Sequence, residues 1–150
     1  MTSHPFSALL AALDEEHQAL RALADPLDHL LEAARTRDLS ALTTSAEEVA
    51  ALGSRARSAE VRRATVLDAF PRTARSLATI AALPGAPADS LLARREELRH
   101  AVDGITSRAR RLAPLLRTLG EAYAGALAVV LQGATRDSRK PAGALVDAEA

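Results

Sequence analysis

The sequence predicts an all-α protein, an elongated antiparallel coiled-coil bundle of three long helices plus a short helical segment. Three observations lead there. Alanine and leucine dominate, Phe and Tyr together number three, and Trp and Asn do not occur, so the strand-forming vocabulary is nearly missing. Apolar residues recur at alternating steps of four and three through Leu91, Leu98, Val102, Ile105, Ala109, Leu112, Leu116, Leu119, Tyr123, Ala126 and Val130. Two earlier stretches carry the same pattern, and three seams running up, down and up can satisfy one another.

The first seam is Phe6, Leu10, Leu13, Leu20, Ala24, Leu27, Leu31 and Ala34, interrupted by His17. Ser3 is placed to cap it, with Pro5 in the first turn. Pro26 removes a backbone donor inside the pattern, so a helix over about residues 5–35 kinks or restarts near Asp25. The second seam is Leu39, Leu42, Ala46, Val49, Ala56, Val66 and Phe70, with Asp38 or Ser40 at its start and with Gly53 and Thr65 weakening it locally. Phe70-Pro71 ends or kinks this helix, and Arg72 to Leu83 adds about three further turns. Two prolines and a glycine at Pro84, Gly85 and Pro87 then break the chain. Asp89 or Ser90 caps the last helix, which at about 1.5 Å per residue reaches about 60 Å by Leu131, with a bend expected at Pro114. Gly133 closes it, so residues 1–133 form the helical domain and residues 134–150 a flexible tail.

Composition removes several functions. Without cysteine there is no disulfide, thiolate metal site or cysteine nucleophile. Nineteen basic and nineteen acidic residues cancel, and aromatic residues for base stacking are missing, so nucleic acid is not an expected partner. No phosphate-binding glycine loop or nucleophile elbow is present, and no catalytic residue and no cofactor are assigned. No apolar run approaches the roughly 20 residues of a membrane span, and the first residues lack a signal-peptide pattern, so a cytoplasmic protein is expected.

Glu97 and His100 form an E-x-x-H pair, the spacing with which di-iron bundles place two ligands on one face. A site of that kind needs a second pair and two further Glu. Asp14 with His17 is the nearest second pair, with the shorter acid. Glu97 and His100 lie off the seam and are read as facing water. His17 lies on the seam and reads as a core or rim histidine bonded to a neighbour. Arginines at Arg62-Arg63, Arg94-Arg95, Arg108, Arg110 and Arg111 have Glu60, Glu96, Glu97 and Asp103 nearby, which reads as solvated faces carrying local pairs one turn apart.

The last third of the chain carries more apolar residues than one seam uses: Leu112, Leu115, Leu116, Leu119, Tyr123, Ala126, Leu127, Val130 and Leu131. A second side, Leu115, Ala122 and Val129 with Ala126, is available for a partner helix. The alternatives are a core that also packs Arg72 to Leu83, or a homodimer or other homo-oligomeric helical assembly without a chaperone role.

Over about residues 6–133 the chain resembles the FlgN family of flagellar export chaperones in the form found in actinobacteria. The resemblance lies in the leucine-rich first helix, in Leu42-Thr-Thr-Ser-Ala-Glu-Glu-Val-Ala-Ala-Leu, in Ala59-Glu-Val-Arg-Arg-Ala, in Leu83-Pro84 and in Leu91 to Leu131. Within the last stretch it rests on Glu97-Leu98-Arg99, Val102, Ile105, Arg110 and Leu119-Gly120. It implies a small cytoplasmic chaperone that binds the C-terminal amphipathic helices of the hook-filament junction proteins FlgK and FlgL. Such a chaperone prevents their premature assembly and delivers them to export-gate components.

Overall fold

A computed structural model describes residues 4–139, with side chains described through Gly133. The helices are α1 (Pro5–Ala22), α2 (Ala24–Thr36), α3 (Leu39–Leu67), α4 (Leu77–Ala81) and α5 (Ala88–Arg139), and no strand occurs among the described residues. The all-α bundle is therefore as expected. The chain divides after Leu112 into two compact units.

Pro5 opens α1, where a missing N–H costs nothing, and the His4 carbonyl accepts from Ser7 and Ala8 N–H at 2.9 and 3.2 Å. Ser3 lies outside the described residues. Pro26 cannot donate to the carbonyl four residues back, and the ladder is interrupted at one residue, Leu23. Leu23 keeps right-handed dihedrals (φ −77°, ψ −21°), and its N–H tightens onto Leu20 O at 3.1 Å. The first long helix thus restarts at once as α2. It ends at Arg37, a left-handed residue (φ 56°, ψ 35°), and Asp38 then caps α3 by accepting from Ala41 N–H at 3.1 Å. Asp38 is thus the cap, and Ser40 lies inside the first turn.

Gly53 does not interrupt α3, which stops at Leu67, before Phe70. The three turns expected over Arg72 to Leu83 shrink to the five residues of α4. Pro71 disfavours helical dihedrals at Phe70, and Ser76 with Thr79 forms a reciprocal capping box that starts the helix afresh at Leu77. Gly85 takes φ +76° in the following turn. Helix α5 begins at Ala88, so Asp89 and Ser90 lie in its first turn and are not its cap. It also runs past Gly133 to Arg139. Glycine terminates a helix by adopting a left-handed conformation, and among the described glycines only Gly85 has positive φ. Ala134 to Arg139 are therefore helical, and the rest of the expected tail, 140–150, lies outside the described residues.

In the first unit the two-residue turn folds α3 back antiparallel on α1 and α2. Helix α5 runs parallel to them, because Asp14 meets Arg94 and Asp28 meets Arg108, each pair 80 residues apart. One end is closed by a core of Phe6, Leu9, Leu13, Phe70, Ala74, Ile80 and Leu91, in which the Phe6 and Phe70 rings lie 5.4 Å apart. The segment between α3 and α5 thus packs at the start of α5.

The first seam is covered as expected, every member from Phe6 to Ala34 being buried or half-buried, whereas in α3 and α5 the companion of each covered seventh residue lies three residues on rather than four. Along α1 and α2, Phe6, Leu13, Leu27 and Ala34 are joined by Leu9, Glu16, Leu23 and Leu30, all buried. Along α3 the stripe is Leu42, Ser45, Val49, Leu52, Ala56, Ala59, Arg63 and Val66, all buried or half-buried, whereas Leu39 and Ala46 are exposed. Along α5, Leu91, Leu98, Ile105 and Leu112 alternate with Arg94, Ala101 and Arg108. Val102 and Ala109, expected on the seam, are exposed.

Leu91 is fully enclosed, so Leu91→Ala is expected to lower stability by about 2–5 kcal/mol in urea unfolding, while Val102→Ala costs less than about 1 kcal/mol.

Candidate functional site

Charged side chains occupy core-facing positions in the first unit because each finds a partner on another helix. Glu16, almost buried on α1, accepts from Arg63 Nε at 2.5 Å and Nη2 at 3.4 Å, and beside it the more exposed Glu15 pairs with Arg62. On the other flank Asp28 accepts from Arg108 Nε at 3.0 Å and Nη2 at 3.4 Å. Arg94 Nε is buried against the Asp14 carboxylate as an ion pair that misses hydrogen-bond alignment, and Arg94 Nη1 lies 3.4 Å from Glu97 Oε2. The local pairs expected on solvated faces are thus outranked by pairs between helices. Only Arg94 with Glu97 and Arg99 with Glu96 remain among the described local pairs of those clusters.

The two E-x-x-H candidates are resolved by the same contacts. Glu97 keeps 44% of its side chain exposed but also turns toward α1. It reaches His17 Nδ1 at 3.9 Å and Arg94, so His17 is a half-buried rim histidine beside a carboxylate, at a distance too long for the hydrogen bond its position suggested. His100 is exposed. Arg94 stands between the two carboxylates, Asp14 and Glu97, that a bundle metal would need, and no group of three His, Asp or Glu able to hold a metal occurs among the described residues.

The expected partner-binding residues separate into two sets. Leu112 and Leu119 are buried and Leu115 is half-buried. Leu116 is 39% exposed and Tyr123 43%, and Leu127, Val130 and Leu131 reach 59%, 64% and 55%. Ala126, Ala122 and Val129 are exposed too, and so is every residue from Gly120 to Gly133. No charged residue occurs between Glu121 and Arg136. Tyr123, Leu127 and Val130 follow one another at four and three residues and form one stripe, and Ala122 and Val129 form another about a third of the way round.

This apolar character changes one expectation. Over Ala88–Gly133 an 18-residue window reaches a mean hydropathy of 1.2 with 6% of it buried, which is apolar enough by length and composition to cross a membrane. A search for an uninterrupted apolar run misses it because isolated charges such as Glu121 lie close by. Compared with protein-family models, curated proteins and solved structures, the chain matches none. Its fold places it among all-α helical bundles.

The buried Glu16 pair and the exposed Glu15 pair separate in a stability assay. Glu16→Ala is expected to cost about 1–3 kcal/mol, since it strands Arg63, and Glu15→Ala less than about 0.5 kcal/mol, both read from urea midpoints.

Proposed function

We propose that the chain is a flagellar type III export chaperone that holds the C-terminal amphipathic helices of FlgK-like and FlgL-like hook-filament junction proteins and keeps them from assembling early. The observation that carries this reading is the exposed stripe of Tyr123, Leu127 and Val130 on α5. Anchors at i, i+4 and i+7 are the spacing at which one amphipathic helix recognises another. The resemblance of Leu91 to Leu131 to FlgN chaperones gives the stripe its client. A helix that coils with neighbouring subunits after assembly has an apolar face to cover beforehand, and a second helix offering a matching stripe covers it. Catalysis has no part in this reading. The chaperone works in the cytoplasm and hands its client to export-gate components.

A second reading has an observation of its own. The stretch between Glu121 and Arg136 carries no charge, so identical copies do not repel there, and a homodimer or larger helical assembly covers the same stripe.

Tyr123→Glu combined with Leu127→Glu is expected to weaken capture of a junction-protein C-terminal helix on the order of 100-fold, with helicity by circular dichroism unchanged. Capture that survives both changes rules the client reading out. Sedimentation equilibrium separates the two readings, because a dimer that persists on dilution and is lost in the same variant favours the assembly.

A further inference from the structure

An open cleft of about 290 Å³ lies between α1, α3, α4 and α5 within the first unit. Its floor is apolar. Leu77 and Leu98 are half-buried against the core cluster, and Val102, one turn beyond Leu98, is 46% exposed. Its rim is charged, and the charges are not equally engaged. Arg63 is held by Glu16, and Arg99 lies 3.6 Å from Glu96. Arg95 is half-buried and has neither a carboxylate nor a hydrogen-bond acceptor among the described residues. A guanidinium with no anion beside it has its planar fork of donors open to an incoming carboxylate. Asp103 stands at the other end of the cleft, two turns or about 12 Å further along α5, and has no cationic partner among the described residues. The two charges of the cleft without a partner are thus a cation at one end and an anion at the other, with the apolar floor and the Glu96-paired Arg99 between them.

We propose that this cleft docks a short helical segment of a partner protein in which an acidic, a large apolar and a basic side chain follow one another a turn apart. The apolar side chain seats on Leu77, Leu98 and Val102, the carboxylate meets Arg95, and the basic group meets Asp103. Complementary charges at both ends fix the direction in which the segment lies. The site is distinct from the Tyr123 to Val130 stripe and does not depend on the export-chaperone reading.

The test uses the full chain and a fluorescently labelled alanine-based peptide of about 15 residues carrying Glu, Leu and Lys at four-residue intervals, with binding read by anisotropy. Saturable binding is expected, weakened about tenfold by Arg95→Glu and recovered when the peptide's Glu and Lys are exchanged in an Arg95→Glu, Asp103→Lys chain. Val102→Glu is expected to abolish binding, with circular dichroism unchanged because that side chain is exposed. Leu127→Glu is expected to leave binding intact. Absence of saturable binding to the unaltered chain, indifference to the charge exchange, or loss in Leu127→Glu in place of Arg95→Glu overturns the proposal.

Discussion

The first unit depends on a stripe that α1 and α2 carry without interruption through Leu23 and Pro26. Pro26 breaks the hydrogen-bond ladder but leaves Leu23 in right-handed dihedrals, so the seven-residue repeat from Phe6 to Ala34 keeps its phase. Ala12, Ala19 and Ala33 on one shoulder of that stripe and Leu31 on the other are buried as well, which makes α1 and α2 the central element, covered on two sides. Helix α3 returns along one side and α5 runs along the other. Neither arrangement works if the phase slips at the proline, because a shift of one residue turns each heptad position by about 100°.

Charge then fixes which residue meets which. A seam made only of leucine and alanine tolerates sliding by a full heptad, since every seventh position looks the same. Arg94 and Arg108 stand two heptads apart on α5, and their carboxylates Asp14 and Asp28 stand two heptads apart on α1 and α2, so both pairs form in a single parallel register. Arg63 does the same for α3 through Glu16. The small residues Ser45, Ala56 and Ala59 on the facing stripe of α3 bring its backbone near α1 and α2, where longer side chains would hold it off. Packing supplies the attraction, and these ion pairs supply the alignment.

That division of labour explains what was legible in the sequence. Helix type, helix number and the breaks at Pro26, Pro71 and Pro84 to Pro87 follow from composition and from proline chemistry, which act locally. The register of α3 and α5 is hidden because the residue three positions after a seam residue is charged or small, as at Ser45, Arg94 and Arg108, while the residue four positions on is apolar, as at Ala46, Val102 and Leu116. A pattern reader picks the apolar one, since the partner that makes a buried arginine acceptable sits 47 or 80 residues away. The candidate surface was legible in part for the same reason. Its exposed members, Tyr123, Ala126, Leu127, Val130 and Leu131, and its covered members, Leu112 and Leu119, share one apolar pattern, and covering is a property of the neighbours.

The second unit poses the converse problem. From Gly120 to Gly133 every side chain is exposed, and alanine and glycine make up half of the positions, so the helix there rests on propensity and on its own hydrogen bonds. Alanine favours such a helix, but Gly120, Gly125 and Gly133 each cost about 1 kcal/mol relative to alanine, and a helix of this length without tertiary packing is marginal in water. Anything that covers Tyr123, Leu127 and Val130 therefore also orders the backbone that carries them, and part of its binding energy goes into that ordering. A surface built this way binds more weakly than its apolar area suggests and releases its occupant more readily.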